Sequence, residues 1–173
     1  MVNVNNVDIV SLSETWFNNR TTDGSIYLSG YQQPFRKDRS DRNGGGVAIY
    51  CANNIPSQRR PDLENTNIEC IWMECIFNNK KLFFAVYYRT PGQTVDERDI
   101  FLSSLDSSID LAFEKGADYL IITGDFNDRC QSWQDSHAGS ELGLRLQNLV
   151  QLKGLVQLVN QPTRVSHDGE PKM

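Results

Sequence analysis

The sequence predicts a layered α/β domain in which amphipathic helices cover the faces of β-sheets. Three observations lead to this class. Apolar β-rich runs separated by turn residues dominate the chain, two segments carry an apolar face at helical spacing, and 173 residues are enough to bury one hydrophobic core. Because no repeat, linker or low-complexity tract interrupts these elements, we treat residues 1–173 as one domain.

Turn residues divide the first part of the chain into strands. An apolar β-rich run at residues 7–13 ends at Glu14, and a loop-rich stretch follows at residues 18–43. Three consecutive glycines, 44–46, predict a turn that leads into a strand at residues 47–51.

The middle of the chain predicts a β-hairpin. Two β-rich runs, residues 68–77 and 81–88, are joined by Asn78-Asn79-Lys80. Asparagine tolerates the positive φ that a tight turn requires, so the two runs are expected to pair as antiparallel strands.

The apolar spacing then changes to that of a helix. Residues 95–115 carry apolar side chains three and four apart and are followed by Gly116, which is typical of a helix end. A buried strand is predicted at residues 119–123, a second amphipathic helix at residues 140–153, and a short strand at residues 155–159.

The composition excludes several classes of protein. With 39% hydrophobic and 23% charged residues, the chain has apolar surface to bury, which excludes disorder as its main state. No apolar run reaches the length of about 18 residues that a membrane-spanning helix needs, and no secretory signal is visible, so we expect no membrane partner. A net charge of −5 excludes nonspecific binding of nucleic acid through bulk charge. An enzyme that acts on nucleic acid stays open, because a metal site is rich in carboxylates.

The cysteines favour a reduced, intracellular protein over a disulfide framework. None of the four stands in a Cys-x-x-Cys pair or at zinc-ligand spacing from a histidine. Cys70 and Cys75 lie in one strand-like run at an odd spacing, so they are expected to point to opposite faces. We therefore expect buried free thiols.

Two acidic residues stand at the ends of predicted buried strands. Glu14 follows the first strand, and Asp125 follows the strand at residues 119–123. If both strands lie in one sheet and point the same way, the two carboxylates share a cleft at its edge. Such a pair suits Mg²⁺, which keeps several waters and takes only one or two protein carboxylates. The alternative is that each residue merely ends its strand.

Four short motifs favour the metal-site interpretation. They occur in the order Ser13-Glu14-Thr15-Trp16, Tyr88-Arg89-Thr90-Pro91, Gly124-Asp125-Phe126-Asn127 and Gln161-Pro162-Thr163-Arg164. With these motifs the chain resembles the endonuclease/exonuclease/phosphatase superfamily, and most closely the endonuclease domain of non-LTR retrotransposons. The resemblance implies a four-layer α/β/β/α sandwich of the deoxyribonuclease-like type.

The resemblance also implies a role for five residues. Glu14 corresponds to the metal-binding Glu, with Mg²⁺ or Mn²⁺ as the cofactor and no small-molecule cofactor. Asp125 corresponds to the Asp that orients or deprotonates the attacking water, and Asn127 to the Asn that helps hold the phosphate. Tyr88 corresponds to the tyrosine beside the scissile phosphate, and Thr163 to a threonine near the same phosphate. These residue types supply what phosphodiester hydrolysis needs: a base, a cation and fixed donors. DNA is then the expected substrate, and the nucleus the expected place of action.

Two parts of the family pattern have no counterpart in this sequence. The catalytic His of a Ser-Asp-His motif and the active-site Asn of the family's first strand are both missing, which implies a domain incomplete at both ends. Ser166-His167-Asp168 has the wrong order, and His137 is interpreted as a surface or hydrogen-bonding residue. We therefore expect residues 1–173 alone to be marginally folded, prone to associate and at most weakly nucleolytic.

Two other functions stay open at this point. The same fold hosts phosphatases of small phosphoesters, because the site surface rather than the fold decides the substrate. The chain could instead be a catalytically dead retroelement remnant. A basic cluster (Arg36, Lys37, Arg39 and Arg42) is interpreted either as a solvated loop or as a contact to the DNA backbone.

Overall fold

Two β-sheets and two α-helices make up the described part of the protein. The structure is a computed structural model that describes residues 7–41, 43–128 and 140–159. The strands are β1 (Ile9–Ser13), β2 (Phe35–Lys37), β3 (Val47–Cys51), β4 (Ser57–Arg59), β5 (Glu69–Phe77), β6 (Lys80–Tyr88) and β7 (Tyr119–Asp125), and the helices are α1 (Val95–Glu114) and α2 (Glu141–Leu152).

The strands divide into two sheets that pack face to face. The first sheet has the order β1-β3-β2 and is antiparallel, and the second has the order β4-β5-β6-β7. In the second sheet only the β6–β7 pair is parallel. Between the sheets lies an apolar core to which β3, β5 and β6 contribute alternate residues, as the period of two along a strand requires.

Both helices cover the outer face of the four-stranded sheet. The other set of alternate residues of β5 and β6 packs against apolar side chains of both helices: Phe101, Leu105 and Ile109 of α1 and Leu142 and Leu146 of α2. Helix α1 begins with a capping box in which Thr94 and Glu97 satisfy each other's backbone N–H groups. The layered α/β sandwich is thus confirmed.

The outer face of the three-stranded sheet is covered by the segment that precedes β2. Tyr31, Ala48 and Tyr50 are buried there, and the partly buried Phe17 and Leu28 pack against them. This segment contains a 3₁₀ turn at Asp23–Ile26.

The predicted hairpin is confirmed, with a shorter turn than expected. Asn78 and Asn79 have φ values of 49° and 61°, and Lys80 already belongs to β6. Positive φ at both central residues is typical of the two-residue turn that matches the twist of a hairpin. Pairing therefore runs from Phe77 opposite Lys80 to Glu69 opposite Tyr88.

Three strand predictions are corrected by the structure. The strand at residues 155–159 is wrong: Val156 and Leu158 are exposed and pair with no strand of the described residues. Strand β2 lies in the stretch predicted as loop, and β4 lies where no element was predicted, because three-residue polar strands form only through pairing with β3 and β5. Strand β7 extends through Asp125, which therefore lies within the strand rather than after it.

The cysteines that the structure describes are buried and free, as expected. Cys70 lies in the core under the helices and Cys75 in the core between the sheets, which confirms that they point to opposite faces. Burial raises the pKa of all three described thiols, that of Cys75 to about 11, so they stay protonated at neutral pH. Cys130 lies outside the described residues.

Neither helix of the described residues combines the length and the apolar character needed to cross a bilayer.

Candidate active site

The predicted site residues Glu14, Tyr88 and Asp125 come together at one end of the sandwich. Glu14 directly follows β1, whereas Tyr88 and Asp125 are the last residues of β6 and β7. Strands β1 and β7 belong to different sheets, so the condition that both lie in one sheet is not met. The two sheets face each other instead, and the hydroxyl oxygens of Ser11 on β1 and Thr123 on β7 lie 3.0 Å apart across the gap.

The Glu14 carboxylate is held by three donors. Its Oε1 accepts a hydrogen bond from the Tyr88 hydroxyl, and its Oε2 accepts from Trp16 Nε1 at 2.7 Å and from the Gly45 N–H at 3.1 Å. The Tyr88 bond, followed by those from Gly45 and Trp16, lowers the pKa of Glu14 despite an opposing contribution from burial. Glu14 is therefore an exposed, oriented carboxylate with one lone pair, on Oε1, left for a further ligand.

Tyr88 links Glu14 to the second sheet. Its side chain is buried, and it stands in register with Asp125 on β7 and with Glu69 on β5. Burial, reinforced by the bond to Glu14, raises the pKa of Tyr88 to about 12, so its hydroxyl stays a donor at neutral pH. Residues in register on adjacent strands point to the same face, which places Asp125 beside Tyr88 on the inner face of the sheet.

A buried arginine holds the loop that follows Asp125. Arg89 is 5% exposed, and its guanidinium donates to the backbone carbonyls of Phe126 (Nε, 2.5 Å) and Asn127. In return Asn127 Nδ2 donates to the Arg89 carbonyl at 2.8 Å, and the Asn127 N–H donates to Asp125 Oδ1 at 2.9 Å. The Phe126 ring stacks on Tyr87 in the core, with centroids 6.3 Å apart. The loop is thus anchored between Asp125 and Asn127.

Three residues of the site adopt the left-handed backbone region although they are not glycine. The φ values are 56° for Glu14, 58° for Trp16 and 45° for Asn127. Such a conformation costs about 1 kcal/mol or more and persists only where its surroundings impose it. Here the N–H groups of Thr15 and Trp16 bond to the carbonyls of Gly46 and Gly45. The strain coincides with the residues that the sequence motifs single out.

An ion pair behind the site was not foreseen from the sequence. Arg39 donates through Nε and Nη2 to Glu69 Oε1, and its Nη2 also reaches Thr90 Oγ1 at 2.9 Å. The Arg39 guanidinium lies over the Tyr88 ring, 5.5 Å from its centroid. Glu69 accepts the Gly46 N–H with its other oxygen. The pair therefore joins the glycine turn of one sheet to the strands of the other. The sequence signal that could have revealed the ion pair is the register of the predicted hairpin, which places Glu69 opposite Tyr88.

The glycine turn has no room for side chains. Gly45 and Gly46 have φ values of 72° and 83°, and a Cβ on Gly45 would overlap the Arg39 guanidinium and the Glu69 carboxylate. The predicted turn is confirmed, and its backbone supplies one N–H to Glu14 and one to Glu69.

The solvated-loop interpretation of the basic cluster does not hold for the residues that the structure describes. Lys37 Nζ donates to the carbonyls of Asn65 and Ile68, Arg36 pairs with Asp38, and Arg39 pairs with Glu69. The contact to the DNA backbone stays a prediction. Arg42 lies outside the described residues.

The carboxylates at this end of the sandwich suit a hard cation. The described residues contain no group of three or more His, Cys, Asp or Glu side chains arranged around one metal position. Glu14 and Asp125 supply two carboxylates, which is sufficient for an ion such as Mg²⁺ that retains most of its water. Glu14 is exposed and keeps one unused lone pair, so its carboxylate is accessible to such an ion. Thr163, His137 and His167 lie outside the described residues.

Replacing Arg39 with methionine is expected to lower the free energy of unfolding by about 2–3 kcal/mol, because the partly buried Glu69 carboxylate loses its cation. Arg39→Lys should lose less, since it keeps the charge but not the forked geometry. Urea unfolding followed by circular dichroism measures both. The exposed Arg20→Met is the control, expected to change stability by no more than about 0.5 kcal/mol. Equal losses at positions 39 and 20 would contradict the role of the pair.

Comparisons with known proteins concern the family and the fold of the chain. A sequence model of the Endonuclease/Exonuclease/phosphatase family matches residues 1–170. Among solved structures, the chain is similar to the endonuclease domain of TRAS1, a telomere-specific non-LTR retrotransposon, with a TM-score of 0.64 and 17% identity over 89% of this chain. The match covers 62% of the TRAS1 chain, so this chain spans less than two thirds of that domain.

Two further solved structures align more loosely. Humanized D. rerio TDP2 has a TM-score of 0.48 and 15% identity, covering 87% of this chain and 58% of its own. The human Nocturnin catalytic domain has a TM-score of 0.47 and 25% identity, covering 69% of this chain and 51% of its own. No curated protein matches the chain.

Proposed function

Because the chain belongs to the endonuclease/exonuclease/phosphatase family, we propose that it is a phosphodiester hydrolase, dependent on Mg²⁺ or Mn²⁺, that nicks DNA as part of a non-LTR retrotransposon-type protein. The observation that carries the proposal is the position of Tyr88, which donates to Glu14 and stands in register with Asp125. This arrangement brings a metal-binding carboxylate and a candidate base to one cleft. The TRAS1 domain, described as an endonuclease domain, supports DNA as the substrate.

In the proposed reaction each residue has a distinct task. Glu14 would hold the cation, and the Tyr88 hydroxyl and the Gly45 N–H fix the direction of its carboxylate. When bound, the cation supplies positive charge that stabilises the charge developing on the phosphate oxygens. Asp125 orients the attacking water and accepts its proton at a carboxylate oxygen, while the Asn127 N–H bond keeps that carboxylate in place.

Asn127 and Thr163 complete the proposed site on the side of the phosphate. The bond from Asn127 Nδ2 to the Arg89 carbonyl aligns the Asn127 amide. In this position the amide can help hold the phosphate. Thr163 is assigned to the same phosphate through the Gln161-Pro162-Thr163-Arg164 motif alone. We place the reaction in the nucleus, where the DNA target of such an element lies.

The domain with the family's first strand and Ser-Asp-His strand restored is expected to convert supercoiled plasmid to the nicked form in Mg²⁺ or Mn²⁺, and EDTA is expected to stop the reaction, because the cation supplies charge stabilisation that no described side chain replaces. Agarose gel electrophoresis measures the product. A parallel assay offers an inositol phosphate and follows phosphate release. Hydrolysis of the small ester without nicking would support a phosphatase of the same fold, and inertness toward both would support a catalytically dead remnant.

A further inference from the structure

Trp16 exposes a large aromatic surface beside the proposed metal site. Its side chain is 65% exposed, although a tryptophan can contribute about 150–250 Å² to a buried core. It lies two residues after Glu14, and its indole N–H donates to Glu14 Oε2 at 2.7 Å. Folding alone does not account for this placement, because most of the ring is outside the core.

The indole ring is nevertheless held in a defined position. Its own backbone is constrained at a φ of 58°, with its N–H bonded to the Gly45 carbonyl at 2.9 Å. A Cβ built on Gly44 would lie 3.7 Å from the ring atoms Cε2 and Cζ2, so the ring rests against the glycine turn. With one edge tied to Glu14 and one side against Gly44, the exposed surface of the ring is a fixed aromatic platform beside the Glu14 carboxylate.

The surface chemistry of the chain favours a nucleic-acid base as the occupant of this platform. A net charge of −5 gives little attraction to the phosphate backbone, so affinity for DNA must come from local contacts. Every base has a π-face that stacks on an aromatic side chain, and such stacking is tolerant of sequence. A small phosphoester without an aromatic ring gains no binding energy from such stacking.

We propose that Trp16 stacks on a base of the nucleotide next to the scissile phosphate, once that base is unstacked from the duplex, and so contributes to recognition of DNA, an inference that rests on the proposed function of the site. The indole bond to Glu14 then couples the position of the stacked base to that of the metal-binding carboxylate. This assignment makes Trp16 a substrate-binding residue rather than a catalytic one.

The test separates the aromatic face of Trp16 from its N–H donor. Trp16→Phe keeps the face and loses the donor, whereas Trp16→Gln keeps a donor and loses the face. Binding of a fluorescein-labelled single-stranded oligonucleotide is measured by fluorescence anisotropy in EDTA, where no cleavage occurs. We expect Trp16→Gln to raise the Kd by about 5- to 150-fold, and Trp16→Phe to stay within about 3-fold of the unaltered chain. Circular dichroism checks that both variants fold.

A second measurement needs no variant. The same oligonucleotide is made with abasic nucleotides in place of its bases, which removes the stacking partner from the DNA side. The unaltered chain is expected to bind it more weakly by a similar factor, and Trp16→Gln is expected to bind both oligonucleotides equally. Equal binding of the two oligonucleotides by the unaltered chain, or binding of neither, would overturn the inference.

The two proposals fail in different ways. If the plasmid is nicked but the Kd of Trp16→Gln for the oligonucleotide is unchanged, the endonuclease proposal stands and base stacking on Trp16 is contradicted. If binding depends on the bases but the plasmid is not nicked, stacking on Trp16 stands and the proposed hydrolysis is contradicted.

Discussion

In the domain with the family's first strand and Ser-Asp-His strand restored, Asp125→Asn and Glu14→Gln are each expected to slow plasmid nicking by about 1,000-fold or more. The first removes the group that accepts the proton of the attacking water, and the second weakens the carboxylate that would hold the cation. Both substitutions keep the shape of the side chain, so the Asn127 N–H and the Tyr88 hydroxyl still have an oxygen to bond. Initial rates of nicking in saturating Mg²⁺ measure the loss.

The control for these variants is a carboxylate outside the cleft. Glu114, at the exposed end of α1, is changed to Gln, and this variant is expected to nick at the rate of the unaltered chain. Circular dichroism spectra of all three variants should match. Near-normal nicking by either Asp125→Asn or Glu14→Gln would contradict the role assigned to that residue.

Gly124→Ala is expected to destabilise the protein by about 4 kcal/mol or more, enough to prevent folding of a marginal domain. Gly124 has a φ of 130° and lies opposite Tyr87 in the parallel pairing of β6 and β7. A Cβ there would overlap the Tyr87 carbonyl oxygen and lie 2.8 Å from the Tyr87 carbonyl carbon and amide nitrogen. Since all three atoms belong to the backbone of a buried strand, the contact cannot be relieved without separating β7 from β6.

Gly24→Ala provides the matched control. A Cβ on Gly24 would meet no atom within 4 Å, and this variant is expected to stay within about 0.5 kcal/mol of the unaltered chain. Urea unfolding measures both free energies. Equal free energies of unfolding for the two alanine variants would contradict the close approach of β7 to the Tyr87 backbone at Gly124.

The elements predicted best from the sequence are those specified by local interactions. Helix α1 was predicted at residues 95–115 and runs from Val95 to Glu114, because a capping box and a following glycine mark its ends. The hairpin follows from two asparagines in the left-handed region. Even so, Ile100 and Phe113, two of the apolar residues between positions 95 and 115, are 48% and 44% exposed, so apolar spacing alone does not identify which residues of α1 are buried.

The elements that were missed depend on partners distant in the chain. The three-residue strands β2 and β4 have little strand character of their own and form against β3 and β5. The run at residues 155–159 has alternating apolar residues but no strand beside it among the described residues, so its pattern predicted a strand that the structure lacks.

The sequence by itself determined the residue types of the candidate site and their attachment to strand ends. Glu14 and Asp125 follow from runs of apolar residues that end in acidic ones, a signal that needs only neighbours in the chain, whereas Tyr88 was assigned through the resemblance of its motif to the family. Only the tertiary structure decided that Glu14 reaches Tyr88 from the opposite sheet. The tertiary structure also shows that Arg39, which the sequence places in a loop-rich stretch, forms an ion pair with Glu69. The physical reason is that periodicity reports which face of a strand is buried, whereas the pairing of sheets and of buried charges depends on contacts between residues far apart in the chain.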